Sequence, residues 1–434
     1  MDLARRLRAD ARSADERRLL VLAGDPVSTR DRALDALDAA DIPPERTRYV
    51  GADETFPRER VDPGRTDTLL GTTQGAVVLD CHDACRPNAL GRVAGAVDGG
   101  GLLVLLTPPL DGWPDIRDDF DATLAVPPFE RDQVIGYFRR HLVRTLRAHR
   151  GVAIVDVDAG TVEKKGVVDG PPRLQQKPPS PPESHRFPAA AYDACLTDDQ
   201  VDAVATLESL REGGEALVVE ADRGRGKSSA AGLAAASLAL AGRDVLVTAP
   251  EYRNAAEVFD RAVDLLADIG ELAGRDRASD PHRIETETGR VRYERPVAAA
   301  DLPGDPDCVI VDEAAALPVG LLERFLGAES VVFATTVHGY EGAGRGFSVR
   351  FRERLAEPIR YAPGDPVEVW VFRALCLDAR PAVEPLVANA TPETVTYRRL
   401  SASDMIADES LLREAFGLLV VAHYRTEPND LARL

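Results

Sequence analysis

One stretch limits what this chain can be: Glu215 to Gly242, EALVVEADRGRGKSSAAGLAAASLALAG. Ala216 to Val219 is apolar and largely β-branched, long enough for one buried strand. Ala221-Asp222-Arg223-Gly224-Arg225-Gly226-Lys227-Ser228-Ser229 follows, and then an Ala/Leu-rich run closing at Gly242, a natural helix C-cap. A strand, a glycine-bearing loop and Lys-Ser opening a helix make the P-loop arrangement, in which backbone N–H groups and the helix N-terminus wrap phosphates. In that pattern Lys227 neutralises the β- and γ-phosphate oxygens and Ser228 ligates Mg²⁺. The first glycine of the pattern is Ala221 here, so Gly224 is expected to supply the freedom the turn needs.

Lysine usage sharpens this reading. Of 53 Lys+Arg, only Lys164, Lys165, Lys177 and Lys227 are lysine. A chain that avoids lysine so strongly still places one at the phosphate slot. A compact ammonium suits that slot better than the wide fork of arginine.

The second chemical element is Asp307-Cys308-Val309-Ile310-Val311-Asp312-Glu313-Ala314. An apolar strand delivers two adjacent carboxylates at its carboxyl end, the side on which open α/β sheets bind ligands. Asp312 is expected to hold Mg²⁺, and Glu313 to position and deprotonate the attacking water. Ser330 to Thr336 reads as a further strand with a polar end. The loop His338 to Phe347 brackets Arg345 with glycines, so Arg345 is a candidate internal arginine finger. Upstream, Thr197 followed by Gln200 has capping-box form. A glutamine just before a P-loop also suits reading an adenine edge, so Gln200 is a candidate base contact.

Residues 1 to about 165 read as a doubly wound unit. Arg18 to Gly24, Gly75 to Asp80 and Gly101 to Thr107 are buried-strand candidates, alternating with helices near 31–40 and 88–97. No loop in this half has phosphate-binding glycine spacing. Phe129 to Arg150 is expected to be one basic amphipathic helix, its Arg139, Arg140, Arg144, Arg147 and Arg150 forming either a phosphate-contacting or a merely solvated face. Residues 166–190 are proline-rich and read as a linker. The acidic region from Ala255 to Leu272 reads as a helix, and 274–290 as a polar surface excursion.

The net charge of −19 is spread along the chain and suits a salt-adapted surface, so it does not exclude RNA. The five cysteines, Cys81, Cys85, Cys195, Cys308 and Cys376, lack finger spacing and read as buried thiols. The charged N-terminus has no apolar signal core, and no apolar run approaches the length of a membrane span, which together predict a cytoplasmic protein.

The segments ADRGRGKSS, VIVDEAAALP and TTVHGYEGAGRGF, with LLGTTQGAVVLDCHD, RPNALGRV, GGGLLVLLTPPLDGWP and EPIRYAPGDPVE, resemble the tRNA(Met) cytidine acetyltransferases across essentially the whole chain. That resemblance implies an α/β chain of two consecutive doubly wound parallel-sheet domains. The first is an N-terminal domain over 1–165; the second, over 191–400, is a RecD-helicase-like ATPase with the RecA/P-loop fold. It implies that 401–434 is the start of a truncated acetyltransferase domain of the GNAT type. It implies ATP contacts at Gln200, the loop Ala221 to Ser229 and Arg345, with Asp312 and Glu313 serving Mg²⁺ and hydrolysis. The family makes N4-acetylcytidine at the wobble position of elongator tRNA(Met), using acetyl-CoA and ATP. The acetyl-CoA site is expected to lie outside this chain, and Ser410 to Val421 to expose an apolar face awaiting a partner. Two other classes fit the same residues. One is a stand-alone RNA-stimulated ATPase or RNA helicase, which needs a second RecA-like domain that 350–434 does not suggest. The other is a non-enzymatic remnant that binds tRNA or a partner subunit.

Overall fold

The computed structural model describes residues 2–69, 72–168, 179–222, 224–336, 351–379, 390–422 and 427–434. The chain divides into two compact units, residues 1–174 with 360–434, and residues 175–359. Both are α/β.

In the first unit the described strands are β1 (Arg18–Ala23), β2 (Thr47–Val50), β3 (Glu59–Val61), β4 (Gln74–Asp80), β5 (Val97–Thr107), β6 (Val152–Asp156) and β7 (Thr161–Lys164). They form one sheet in the order β3-β2-β4-β5-β1-β6-β7, parallel except for β7. Residues of β1, β4 and β5 are buried almost without interruption, as the continuous apolar runs require of strands covered on both faces. The expected strands all form. β5 starts earlier than its apolar run, at Val97, because the preceding helix Pro87–Ala96 leads straight into it.

The basic stretch forms a shorter helix than expected, Tyr137–Ala148. Its arginines serve neither of the anticipated faces alone. Arg139 is 3 % exposed and locked between Asp118 and Asp121. Arg144 donates to the Ile406 carbonyl, Arg147 pairs with Glu163 and Asp111, and Arg150 donates to the Gly364 carbonyl. Arg139 is thus internal scaffolding, while Arg140, over the Tyr137 ring, stays on the surface with Arg147 and, beyond the helix, Arg150, whose pairings are surface ones.

Residues 360–434 pack with this first unit, so the compact units do not follow the expected boundaries at 165 and 400. The helix Pro366–Leu375 lays Val367, Trp370, Val371 and Leu375 into the core beside Leu142, Leu146 and Val152. Its N-cap, Asp365, is fully buried and grips Arg17: Nε and Nη2 both donate to Oδ1, at 3.0 and 2.8 Å. The Arg17 guanidinium also lies 3.5 Å over the Tyr361 ring. In the helix Glu409–Ala422, Leu412 and Phe416 are buried against Met405, Cys376 and Leu431, while Leu418 is 52 % exposed. The apolar face expected to await a partner is therefore partly covered within the chain. The last helix among the described residues is Pro428–Leu431, with Glu427 at its N-cap, and Asn429 exchanges hydrogen bonds with Asn88.

The second unit holds β8 (Ala216–Ala221), β9 (Asp244–Thr248), β10 (Gly274–Arg275), β11 (Arg283–Glu285), β12 (Arg290–Tyr293), β13 (Cys308–Val311), β14 (Val331–Thr336) and β15 (Phe351–Leu355). The order is β10-β11-β12-β9-β13-β14-β8-β15, parallel from β12 to β15. The polar 274–290 excursion supplies β10 and β11, an antiparallel extension of the sheet edge. β14 lies between β13 and β8, so the loops leaving those two strands flank its carboxyl end. That placement builds the site.

Candidate phosphate and metal site

Ala221 is the last residue of β8, buried and in register with Thr336 and Leu355. The backbone is still extended there, which explains why the missing first glycine costs nothing. The turn falls later: Gly224 and Gly226 take φ of +74° and +85°, a region that disfavours side chains. Gly226 then caps the helix Lys227–Leu240, whose first N–H groups have no intrahelical partners. Arg223 lies outside the described residues, as does Arg345 with the rest of its glycine-rich loop.

Lys227 is buried at 6 % exposure. Its Nζ lies 3.6 Å from Glu313 Oε1 and donates to Thr336 Oγ1 at 3.2 Å. Thr336 Oγ1 in turn donates to Glu313 Oε2 at 3.2 Å. The two charges foreseen in sequence are thus neighbours, bridged by a hydroxyl at the end of β14. The bridge itself was legible only as a strand ending in polar residues.

Asp312 is completely buried. Its Oδ1 accepts the Glu313 N–H at 2.9 Å, while Oδ2 has no hydrogen-bond partner among the described residues. Burial, with the neighbouring Glu313 charge, pushes its carboxyl up to about 6; Lys227 and the Ser228 hydroxyl pull the other way. Glu313 sits in the left-handed region, φ 47° and ψ 44°, a conformation costing a non-glycine residue roughly 1–2 kcal/mol. A strained carboxylate beside a buried orphaned one is costly for stability alone.

A divalent cation fits this arrangement. Asp312 Oδ2 and the neighbouring Ser228 hydroxyl are hard oxygen donors, and the unused valence of Oδ2 is the kind a cation satisfies. Lys227 and the helix N-terminus fit an anion such as a polyphosphate. The Ser229 Oγ accepts from Arg261 Nε at 3.1 Å. Gln200 is 1 % exposed, and both ends of its amide are used: Oε1 accepts the Leu196 N–H at 2.8 Å and Nε2 donates to the Gly226 carbonyl at 3.3 Å. Thr197 caps the helix as expected, its Oγ1 accepting from the Gln200 N–H at 3.4 Å.

The first unit has no such opening at the corresponding helix. The N-terminus of the helix Pro26–Ala39 is filled by Asp25, which accepts from the Val27 and Ser28 N–H groups. Nearby Asp80 is enclosed by His82, Arg30 and Tyr49; against the burial that would raise it, His82 and Arg30 bring its carboxyl down to about 2. All five cysteines are free and buried, and burial lifts Cys195, Cys308 and Cys376 to about 12 each.

A parallel sheet whose glycine-bearing loop opens a helix beside paired carboxylates defines an α/β protein of the P-loop type. Residues 1–157 match the family model of the N-terminal domain of tRNA(Met) cytidine acetyltransferase TmcA. Residues 218–378 match that of the RNA cytidine acetyltransferase NAT10/TcmA helicase domain. The chain belongs to the tRNA(Met) cytidine acetyltransferase family. All of it aligns with the enzyme of that name from Haloarcula marismortui at 63 % identity, covering 58 % of the relative. All of it also aligns with the Haloferax volcanii enzyme at 59 %, covering 59 %. The chain thus spans under two thirds of the length of these relatives. Among solved structures, the large terminase ATPase domain of Thermus phage P74-26 matches 36 % of this chain and 79 % of its own, at 18 % identity and a TM-score of 0.27. No helix among the described residues is long and apolar enough to cross a membrane.

Proposed function

We propose that the second unit binds ATP with Mg²⁺ and hydrolyses it. In this reading ATP hydrolysis serves the formation of N4-acetylcytidine at the wobble position of elongator tRNA(Met), with acetyl-CoA as acetyl donor. The observation that carries the reading is the buried Lys227–Thr336–Glu313 bridge beside the orphaned Oδ2 of Asp312, at the opening of a helix. Lys227 and the N–H groups following Gly226 hold the phosphates. Ser228 and Asp312 hold Mg²⁺, which when bound draws charge from the phosphate oxygens. Glu313, released from Lys227 once that ammonium turns to phosphate, orients a water and accepts its proton. Arg345 is assigned to the γ-phosphate.

The acetyl-CoA site is assigned to the part of the relatives that this chain does not span. The tRNA is expected to engage this chain without relying on Arg139, which is buried between Asp118 and Asp121. The test is ATP binding and hydrolysis by the full chain in molar KCl, with and without Mg²⁺ and tRNA. Lys227→Ala should abolish nucleotide binding, and Glu313→Gln should keep binding while losing turnover. Binding that survives Lys227→Ala unchanged sinks the assignment.

A further inference from the structure

Arg140, Arg144 and Arg147 stand four and three residues apart on the helix Tyr137–Ala148, in one stripe ~10 Å long at ~1.5 Å of rise per residue. They line a groove of about 600 Å³ in which the buried Leu110, Pro114 and Val143 form an apolar floor. Asp111 is the one acidic residue of that lining. Three cations against one acid invert the balance of a chain with 72 Asp+Glu and 53 Lys+Arg. The guanidinium groups are held in different ways. Arg144 is fixed, with Nη1 donating to the Ile406 carbonyl and Nη2 to His141 Nδ1 at 3.2 Å. Arg147 meets Glu163 and Asp111, each at 2.7 Å, but Asp111 is 88 % exposed, and an ion pair open to water is worth little and exchanges readily for another anion. Arg140 makes no ion pair among the described residues and lies 5.5 Å from the centre of the Tyr137 ring. A groove with apolar walls and mostly one sign of charge concentrates its field on an incoming anion.

We propose that this groove binds the sugar–phosphate backbone of RNA, with Arg140 and Arg147 as phosphate contacts and Arg144 as a fixed charge between them. The stripe is long enough for more than one phosphate of a strand, and the planar guanidinium fork matches a phosphate's paired oxygens. The apolar floor suits the faces of ribose and base, which lie beside every phosphate of an RNA strand. The inference takes tRNA as the RNA from the proposed function and rests on that reading for this identity alone.

The test measures binding of an unmodified tRNA transcript to the full chain by fluorescence anisotropy over a series of KCl concentrations. Wild type is compared with Arg140→Gln, Arg147→Gln and the double variant, and with Asp111→Asn as the converse change. Each Gln variant should weaken binding roughly tenfold and flatten the plot of log K against log[KCl] by about 1, the double variant by about 2. Asp111→Asn removes a carboxylate that competes for Arg147 and should tighten binding. The urea midpoint of tryptophan fluorescence should not move, because these side chains pair only at the surface. Should a Gln variant prove unstable, Asp111→Asn still decides, and unchanged affinity there overturns the proposal. Two further arms identify the anion. Inorganic triphosphate is titrated into the Lys227→Ala chain, whose phosphate loop no longer competes for it, and polyglutamate is set against bound tRNA. Triphosphate binding that depends on Arg140 and Arg147 while tRNA affinity does not overturns the RNA assignment; so does polyglutamate that displaces tRNA as well as unlabelled tRNA does at equal charge. Affinity and slope equal to wild type in the Gln variants overturn the groove and leave the tRNA reading standing, whereas a wild type that binds no tRNA overturns both.

Discussion

Asp312→Asn should make the nucleotide-free second unit more stable at neutral pH, although it removes a residue assigned to the metal. The folded carboxyl is raised from 3.8 to about 6, chiefly by complete burial and then by Glu313. A raised carboxyl means that the folded state prefers the proton. Its contribution is therefore full below about pH 4 and is lost as pH rises through about 6. By pH 8 the wild type has given up roughly 3 kcal/mol, at ~1.4 kcal/mol per tenfold change in proton affinity. Asparagine cannot ionise and escapes this loss. Both tryptophans, Trp113 and Trp370, lie in the first unit, so their fluorescence does not report on this site. Amide exchange in β8 and β13, corrected for intrinsic rates and measured with EDTA, does. The variant's core strands should exchange about a hundredfold more slowly than wild type at pH 8 and about tenfold more slowly at pH 5, with no pH-dependent gap below pH 4. Any fixed cost or gain from the asparagine amide cancels in the comparison across pH. A gap that does not change with pH would falsify the claim that Asp312 is a buried, poorly compensated charge awaiting a cation.

The remaining predictions concern both units. Glu313→Gln should lower ATP turnover by about 10²–10⁴-fold, the usual worth of a positioned general base, with ATP affinity kept; equal turnover would remove Glu313 from the chemistry. Thr336→Val should remove the hydroxyl bridge between Lys227 and Glu313, leaving only their direct ion pair, and lower turnover, while Thr336→Ser restores it; an indifferent Val variant would make the bridge incidental. Asp365→Ala leaves Arg17 buried without its carboxylate and should cost the first unit about 3–5 kcal/mol, read as a lower urea midpoint of tryptophan fluorescence. Arg139→Met strands Asp118 and Asp121 and should show a comparable loss, whereas Arg140→Gln should leave stability within about 0.5 kcal/mol of wild type.

The sequence by itself determined where the phosphate-loop pattern and the paired carboxylates of the second unit lie. The strand–loop–helix at 215–242 and the acidic strand end at 312–313 are local patterns: a short apolar run must be buried, a glycine must take the left-handed turn, and a lysine this rare has a specific place. The apolar runs of β1, β4 and β5 likewise announced a covered parallel sheet. What only the tertiary structure decided depends on partners distant in the chain. The sheet order put Thr336 between Lys227 and Glu313, a bridge spanning 109 and 23 residues. Asp365 closed on Arg17 across 348 residues and drew 360–434 onto the first sheet, which no local composition shift near 360 or 400 could announce. That Arg139 is buried while Arg140 and Arg147 stay on the surface was not legible, because helical spacing reports which residues share a face, not which carboxylates and carbonyls meet them. Gln200 carried the same ambiguity. A side-chain amide can bond a base or a backbone, and its bonds to the Leu196 N–H and the Gly226 carbonyl were not legible in the sequence.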